Sequence, residues 1–325
     1  MPTQKETVEE ILSVRNLKKY FTSGGFSRHK DIVRAVDEIS FSVKNGETLV
    51  LAGESGSGKT TIARLILRAI EPDSGEIIFD GAKITENNLK KMRSECQMIY
   101  QDPYASINPR MRVFDIIKEP LDIHGIGSSK EKEDLVFKTL HEVKLEPADK
   151  IANRHPHMLS GGQRQRIVIA RSIVTEPKLV IADEPVSMLD VSVRSGILEL
   201  MKELQQKLRI SFLYITHDLS TARYVGHTIA IMYLGKIVEM GTTHDILSRP
   251  KHPYTQALID SISEPDPENL LRDKKIRIND PLDVNVYEGC RFRARCPYAI
   301  EKCKEEPLLE KLEDNRSVAC FVKIN

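Results

Sequence analysis

One segment limits the possible folds of this chain more than any other. Residues 53–61 read Gly-Glu-Ser-Gly-Ser-Gly-Lys-Thr-Thr, between an apolar strand at residues 48–52 and a helix at residues 61–67 with helical apolar spacing. Because glycine has no Cβ, the backbone N–H groups of such a loop can turn inward around phosphates at the helix N-terminus. Lys59 would then reach the phosphates, and the Thr60 hydroxyl would bind Mg²⁺. A flexible glycine turn is the alternative, but the flanking strand and helix favour a nucleoside triphosphate site. The loop residues that we expect to contact the nucleotide are Gly53, Glu54, Ser55, Gly56, Ser57, Gly58, Lys59, Thr60 and Thr61.

Composition and charge are those of an ordinary globular protein. The chain has 325 residues, enough for one large domain and a smaller one, with 40% hydrophobic and 29% charged residues. The formal net charge of +1 gives no electrostatic reason to expect a nucleic-acid partner. No apolar run is long enough to span a membrane and no signal-peptide pattern is evident, so we expect a cytoplasmic location.

Two acidic residues follow an apolar strand in the second half of the chain. The run Leu-Val-Ile-Ala at residues 179–182 leads into Asp183, Glu184 and Pro185. Beside a phosphate loop, Asp183 would hold Mg²⁺ through water, and Glu184 would orient or deprotonate the attacking water. An acidic pair that caps a helix is the alternative, which Pro185 makes plausible. The phosphate loop favours the catalytic interpretation.

Two further polar residues stand at the ends of predicted strands. His217 follows the strand at residues 212–216, and we expect it to contact the γ-phosphate. Gln101 follows the strand at residues 96–100, and we expect it to touch Mg²⁺ and the attacking water. A surface histidine and a polar loop residue are the respective alternatives.

A second glycine-containing helix start lies downstream of the first. Leu159, Ser160, Gly161, Gly162 and Gln163 stand at the beginning of a predicted helix. Serine and glycines at a helix N-terminus form an anion site. Since the chain has a single nucleotide-binding strand, the simplest interpretation is that this second end binds the nucleotide of another subunit. Helix capping within the chain is the alternative.

With these motifs in this order, the chain resembles the ATPase subunits of ATP-binding cassette (ABC) proteins. The resemblance implies an α/β fold: a P-loop NTPase with a RecA-like core, an antiparallel β subdomain and an inserted α-helical subdomain. It also implies a head-to-tail dimer that encloses two ATP molecules, each between one subunit's phosphate loop and the other subunit's second helix start. The matching features are the phosphate loop, Gln101, residues 159–163, Asp183, Glu184, Asp190 and His217.

The same resemblance gives roles to less distinctive residues. Tyr20 falls where the family stacks an aromatic ring on adenine, and Phe21 is the adjacent alternative. Residues 22–31 read as an inserted hairpin tip. Asp190 would contact the nucleotide across the dimer interface. Met188 stands where the family commonly has alanine, so we expect altered packing at that interface without loss of activity.

Three longer segments, residues 101–111, 252–258 and 289–298, resemble the ATPases of oligopeptide/dipeptide importers. In that group the segment after Gln101 meets the membrane subunit, so residues 104–111 are the candidate docking loop. The implied partners are two membrane-spanning permease subunits, a second ABC ATPase (a paralogue or a second copy) and, indirectly, an extracytoplasmic solute-binding protein. The chain would then sit on the inner face of the cell membrane.

The resemblance therefore predicts a subunit that hydrolyses ATP to drive the uptake of dipeptides or oligopeptides. Import of another solute, such as an oligosaccharide or nickel, is one alternative. A soluble ABC ATPase of DNA repair or translation is another, but such proteins have long coiled-coil insertions or tandem cassettes, which this sequence lacks.

Four of the five cysteines lie near the end of the chain. Their spacing lacks the Cys-x2-Cys pairs of common zinc ribbons, and a cytosolic protein is not expected to keep structural disulfides. Metal binding is therefore the leading interpretation, with Zn²⁺ or a [4Fe–4S] cluster as candidates and free or oxidised thiols as the alternative. The importer resemblance favours the cluster, whose negative charge Arg291, Arg293 and Arg295 would offset. The four cysteines are Cys290, Cys296, Cys303 and Cys320.

The pattern also predicts how the chain is divided. Helical periodicity from residue 113 to residue 144, interrupted by Pro120 and by residues 125–127, predicts a separate helical lobe. Prolines become frequent after His252, which predicts a loop-rich, metal-binding C-terminal extension. The predicted domains are an ABC nucleotide-binding domain at residues 1–248, with its helical subdomain at about residues 105–160, and the extension at residues 249–325.

Overall fold

The structure is a computed structural model that describes residues 10–22, 32–261, 287–312 and 314–322. Its strands are β1 (Glu10–Thr22), β2 (Ile32–Lys44), β3 (Thr48–Ala52), β4 (Ser74–Phe79), β5 (Ala82–Lys83), β6 (Cys96–Ile99), β7 (Leu179–Asp183), β8 (Ser211–Thr216), β9 (Thr228–Tyr233), β10 (Lys236–Thr242), β11 (Glu310–Lys311) and β12 (Ser317–Val318). Its α-helices are α1 (Lys59–Ile66), α2 (Leu89–Glu95), α3 (Val113–His124), α4 (Ser129–Glu142), α5 (Ala148–Ala152), α6 (Gly161–Ile173), α7 (Val191–Leu208), α8 (Leu219–Val225), α9 (Thr243–Ser248) and α10 (Pro253–Asp260). Within the described ranges, no helix has the length and apolar character needed to cross a membrane.

These strands form two sheets. The smaller has four strands in the order β2-β1-β4-β5, and β4 and β5 pair antiparallel. The larger has eight strands in the order β11-β12-β10-β9-β3-β8-β7-β6. In the larger sheet β3 pairs with β9 and β6 with β7 in parallel, whereas β10 pairs antiparallel with both β9 and β12. Mixed pairing of this kind is typical of α/β folds with an antiparallel edge.

Contacts group the described residues into two compact units. The first comprises residues 10–13, 42–48 and 77–214, and the second comprises residues 14–22, 32–41, 49–76, 215–261, 287–312 and 314–322.

In the first unit, helices α3, α4 and α6 pack on one another beside the parallel pair β6 and β7. Strand β7 is buried at all five positions, of which the first four are apolar and the last is Asp183. Helix α3 ends at Gly125, which has a φ of 70°, and α4 begins after Ser128, whose side chain and that of Glu131 form a reciprocal capping box.

The predicted interruption at Pro120 is wrong, because α3 continues through it to His124. A proline inside a helix costs about 3 kcal/mol through its missing N–H and its clash with the preceding turn. Pro120 is nevertheless buried, on the same apolar face as Ile116, Ile117 and Leu121. Burial of this face offsets the lost hydrogen bond, and the chain breaks only at Gly125.

In the second unit, β3 is buried along its whole length and leads directly into the phosphate loop and α1.

The C-terminal segment joins the edge of the larger sheet, with Val318 paired to Glu239 and Ser317 to Met240. Helix α10 begins at Pro253, and the His252 side chain accepts the N–H of Tyr254 at 3.1 Å as its N-cap. Residues on both sides of position 249 therefore contribute to one compact unit.

Candidate functional site

The phosphate loop has two glycines that no other residue could replace. Gly53 has a φ of 154°, and a Cβ there would lie 2.2 Å from the carbonyl oxygen of Met232. Gly58 has a φ of 102°, and a Cβ there would lie 2.0 Å from the carbonyl oxygen of Ala35. The loop thus depends on glycine both for its backbone conformation and for the close approach of neighbouring strands.

Lys59 is the first residue of α1 and is only 6% exposed. Its Nζ donates to the carbonyl oxygens of Gly53 and Glu54, both at 2.8 Å, and to Ser57 Oγ at 3.1 Å. These bonds hold the ammonium inside the curve of the loop. Thr60 follows at an exposed position in the first turn, where N–H groups and the helix dipole favour an anion.

In the first unit, the ends of β6 and β7 bring two predicted site residues together. The strands are parallel, with Ile99 opposite Ala182, so the residues that follow them emerge at the same edge. Gln101 Nε2 donates to Glu184 Oε2 at 2.9 Å. Asp183 is the last residue of β7 and is 4% exposed.

Glu184 has an unusual backbone conformation. Its φ of 47° lies in the left-handed region, which costs a non-glycine residue of order 1–3 kcal/mol. The N–H of Ser187 and the Ser187 hydroxyl both donate to the Glu184 carbonyl, at 3.2 and 3.0 Å. Strain held in place by such bonds is typical of functional positions, and here it aims the Glu184 carboxylate toward Gln101.

His217 belongs to the second unit, as the phosphate loop does. It is exposed and directly follows the buried strand β8. The N–H of Asp218 donates to Thr216 Oγ1 at 2.9 Å, and Asp218 in turn caps α8 by accepting the N–H of Ser220 at 2.9 Å. These bonds fix the backbone on both sides of His217.

The second helix start is a well-formed N-cap in the first unit. Ser160 Oγ accepts the N–H of Gln163 at 3.3 Å, and Gln163 Oε1 accepts the N–H of Ser160 at 3.1 Å. Gly162 packs against α7, where a Cβ would lie 2.7 Å from Cγ1 of Val193. Residues 160–163 therefore do cap their own helix. Ser160 is nevertheless exposed and Gly161 is half-exposed.

Asp190 stands at the N-cap of α7 with an exposed side chain that makes no capping bond. Its carbonyl accepts the N–H of Val193 at 2.9 Å. The neighbouring apolar side chains are also exposed, Met188 at 60% and Val191 at 80%. Exposed apolar residues around a polar motif are typical of a protein interface.

Tyr20 is half-buried, and its hydroxyl donates to Asp37. Burial, and then this bond, raise the pKa of Tyr20 to about 12. The Arg34 guanidinium lies 5.7 Å from the centre of the ring. Phe21 is more exposed, at 41%. Apart from Thr22, the predicted insertion at residues 22–31 lies outside the described residues.

The candidate docking loop begins with an exposed aromatic residue. Tyr104 is 61% exposed, and the Arg164 guanidinium stacks 4.3 Å from its ring centre. The end of the loop borders an open cleft of about 610 Å³, whose rim includes the exposed Ile123. The cleft is lined by Arg110, Met111, Arg112, Asp115, Lys118, Glu119, Asp122, Ile123 and His155.

The cysteine segment gives no support to the predicted metal-binding extension. Across the described ranges, no group of three or more histidine, cysteine or acidic side chains that could hold a metal ion is found. Cys296 and Cys303 are 8% and 5% exposed, and the N–H of Cys290 donates to the Cys303 carbonyl at 3.0 Å. Burial raises the pKa of Cys290 and of Cys296 to about 11.

Two arginines of this segment have partners that the sequence did not reveal. We expected Arg291 and Arg295 to offset a cluster's charge, but Arg291 pairs with Asp37 and Arg295 with Glu54. Both carboxylates belong to the predicted nucleotide site or its immediate surroundings. No local sequence signal could have identified these partners, which lie 254 and 241 positions away along the chain.

Comparison with known proteins gives two family matches. Residues 36–187 match the family described as ABC transporter, and residues 238–303 match the oligopeptide/dipeptide transporter C-terminal region. An oligopeptide transport ATP-binding protein of Bacillus subtilis is 43% identical over 97% of this chain and 98% of its own length. A dipeptide transport ATP-binding protein of Haemophilus influenzae is 42% identical over 96% of both chains.

Solved structures show the same fold. The cbiO1 subunit of a Clostridium perfringens ABC transporter complex aligns with a TM-score of 0.65 and 26% identity, over 74% of this chain and 92% of its own. The dimeric cassette MJ0796, bound to ADP and Pi after hydrolysis, aligns with a TM-score of 0.62 and 27% identity, over 71% of this chain and 98% of its own.

Proposed function

This chain belongs to the ABC transporter family, in the group of ATP-binding subunits with the oligopeptide/dipeptide transporter C-terminal region, and we propose that it powers peptide uptake. It would hydrolyse ATP and pass the resulting conformational change to partner membrane subunits. The observation that carries the proposal is the bond between Gln101 and Glu184 at the end of β7, in a chain that also has a complete phosphate loop.

We propose that the phosphate loop holds the β- and γ-phosphates, with Lys59 turning from the loop carbonyls to the phosphate oxygens. The N–H groups at the start of α1 would neutralise the same charge. His217 would contact the γ-phosphate, and Tyr20 would stack on the adenine. The support lies in the buried ammonium of Lys59 and in the backbone bonds that flank His217.

Mg²⁺ would be held by the oxygen atoms of Thr60, Gln101 and Asp183, a donor set that this hard cation prefers. When bound, it would neutralise charge on the phosphates. Glu184 would take a proton from the attacking water, which Gln101 would help to orient. Asp183 fits this assignment because it is buried at a strand end, and Glu184 because its strained backbone is fixed by two hydrogen bonds.

We propose that the working unit is a head-to-tail pair with a second ABC ATPase, either a paralogue or another copy. Residues 160–163 and Asp190 would contact the nucleotide of the partner. Exposure of Met188 and Val191 beside Asp190 supports an interface there. The similar cassette MJ0796 was solved as a dimer.

The membrane subunits would dock at residues 104–111 and the adjoining cleft, so that the chain associates with the membrane from its inner face. The support is an exposed Tyr104 and an open cleft with an apolar rim at Ile123. The stacking of Arg164 on Tyr104 joins this loop to α6 and would carry movement between the docking surface and residues 160–163.

Uptake of a labelled tripeptide tests the proposed function. Cells that lack the gene should lose uptake, and the wild-type chain should restore it. Lys59→Ala should not, because the loop loses the cation that binds the phosphates. Uptake of nickel and of a labelled oligosaccharide serves as the control for other solutes. Tripeptide uptake that is unchanged without the chain, or restored by Lys59→Ala, would contradict the proposal.

We also propose that Cys290, Cys296, Cys303 and Cys320 bind a [4Fe–4S] cluster that fastens the C-terminal segment. The proposal starts from the importer resemblance and from two observations: Cys296 and Cys303 are buried and Cys290 and Cys320 half-buried, and the pKa of Cys290 is raised by burial and, to a lesser degree, by the other three thiols. The N–H of Val322 also points to Cys320 Sγ at 3.4 Å. A bound cluster would supply iron–thiolate bonds to a loop-rich segment.

Metal analysis tests this second proposal. Protein purified without oxygen should contain iron and acid-labile sulfide in equal amounts and lose both on Cys296→Ser. Zinc in their place, or no metal, would contradict the cluster and leave the ATPase proposal intact.

A further inference from the structure

The C-terminal segment at residues 287–296 forms an ion pair with Glu54 of the phosphate loop. Arg295 Nη1 donates to Glu54 Oε2 at 2.9 Å, and Arg295 Nη2 donates to Glu54 Oε1 at 3.2 Å. Two parallel bonds fix the orientation of the carboxylate as well as its position. The Glu54 N–H donates to the hydroxyl of Tyr254 at 2.9 Å. Residues beyond position 249 thus hold both the side chain and the backbone of Glu54.

The Arg295 guanidinium is itself held in place. It donates to the Tyr233 hydroxyl at 3.3 Å, and it lies 5.7 Å from the Tyr233 ring centre and 5.8 Å from that of Phe292. Tyr233, Phe292 and Tyr254 form one aromatic cluster, with ring centres 4.6 to 5.5 Å apart. A guanidinium packed on aromatic rings has few available conformations, so forming the bonds to Glu54 costs little further side-chain entropy.

Arg291 anchors the other end of the same turn. It donates to the Asp37 carboxylate and to the Leu234 carbonyl, and both Arg291 and Asp37 are buried. Asp37 also accepts the Tyr20 hydroxyl. The turn is therefore fixed at one end by Asp37 and at the other by the bonds of Arg295 to Glu54 of the phosphate loop.

Glu54 in turn controls the path of the loop. Its carbonyl accepts Lys59 Nζ at 2.8 Å and the N–H of Ser57 at 3.3 Å. A change in the direction of the Glu54 peptide would therefore displace the ammonium and the N–H groups that follow it. A loop that is held in advance need not be ordered by the ligand, and preorganisation of this kind raises affinity.

We propose that Arg295 is a positioning residue of the ATP site, which acts through Glu54 and together with Tyr254 to preorganise the phosphate loop. The C-terminal segment thereby sets nucleotide affinity. This inference rests on the proposed function, because it takes residues 53–61 as the ATP site. The side-chain partners of Arg295 are Glu54 and Tyr233, in the same unit as the phosphate loop, so its loss weakens nucleotide binding more than turnover.

Nucleotide affinity of the full-length chain tests this role, with Mg²⁺–AMP-PNP as the probe and calorimetry as the readout. Arg295→Gln should raise the dissociation constant by about three- to tenfold. The matched control is Lys304→Gln, which removes a positive charge from an exposed position shortly after this segment and should leave the constant unchanged. In steady-state ATPase assays, Arg295→Gln should raise KM by a similar factor and change kcat by less than about twofold.

A double-mutant cycle identifies Glu54 as the intermediary. Glu54→Gln should weaken binding as Arg295→Gln does, and the double variant should be no weaker than either single variant. Arg295→Lys keeps the positive charge but cannot form two parallel bonds to Glu54. It should therefore bind the probe more tightly than Arg295→Gln and less tightly than the wild type. Equal affinities of the Arg295→Gln and Lys304→Gln chains, or additive losses in the double variant, would overturn the inference. A wild-type chain that binds no nucleotide would instead overturn the proposed function on which it rests.

Discussion

We expect acidification to destabilise the folded chain through one buried histidine. His252 is 2% exposed, and burial lowers its pKa to about 3, against about 6.5 in an unfolded chain. Its Nδ1 accepts the N–H of Tyr254 at the start of α10, so the ring is neutral there and uses its lone pair. A proton therefore binds the unfolded state in preference to the folded one.

The sign and size of the effect follow from this difference. For a base whose pKa is lowered by folding, stability is complete above the unfolded pKa and is lost as the pH falls below it. The loss is about 1.4 kcal/mol per pH unit, so about 2 kcal/mol disappears between pH 7 and pH 5. Glu239, which accepts the N–H groups of Lys251 and His252, acts in the opposite direction because burial raises its pKa.

The variant His252→Asn separates the two groups. Asparagine can still accept at the N-cap position but does not titrate, so Glu239 contributes to both chains. Urea unfolding at pH 7 and at pH 5 should show the stability difference between wild type and variant changing by about 2 kcal/mol, to the disadvantage of the wild type at pH 5. A difference that is the same at both pH values would refute the reasoning.

Substitutions of Gly58 and Gly162 test the proposed nucleotide contacts of the phosphate loop and of the second helix start. Gly58→Ala should abolish nucleotide binding, because its Cβ would lie 2.0 Å from the Ala35 carbonyl oxygen. The control is Gly46→Ala, whose residue also has a positive φ but whose Cβ would meet no atom within 4 Å. This control should bind nucleotide normally and lose only about 1 kcal/mol of folding stability. Equal nucleotide binding by these two variants, measured by calorimetry, would contradict the steric argument. Gly162→Ala, with its Cβ 2.7 Å from Val193, should lower the ATPase rate of the assembled pair while the isolated chain keeps its nucleotide affinity. A loss of affinity in the isolated chain would show that residues 160–163 do not act across the interface.

Features that depend on a few consecutive residues could be predicted from the sequence. The strand at residues 48–52 matches β3, and the helix predicted to begin within residues 159–163 is α6, which begins at Gly161. The proximity of Gln101 and Glu184 also follows, because both come directly after apolar runs that pair as parallel strands. Local periodicity and glycine placement encode these features.

Features that depend on distant residues could not be predicted. The residues of the Arg295–Glu54 pair lie 241 positions apart, and nothing near either one indicates the other. The same holds for the pairing of β12 with β10, because a two-residue strand has no periodicity to detect. At Pro120 the prediction was wrong for a different reason. Proline usually interrupts a helix, but here burial of the apolar face of α3 outweighs that local effect.

The role of Glu184 is the most direct test of the central claim, that this chain hydrolyses ATP with a carboxylate at the end of β7. The measurement is steady-state ATP turnover by the assembled transporter that contains the Glu184→Gln chain, together with its affinity for Mg²⁺–ATP. We predict that turnover falls by roughly 10²–10⁴-fold, the usual contribution of a general base, while ATP is still bound. Turnover equal to that of the wild type would contradict the account.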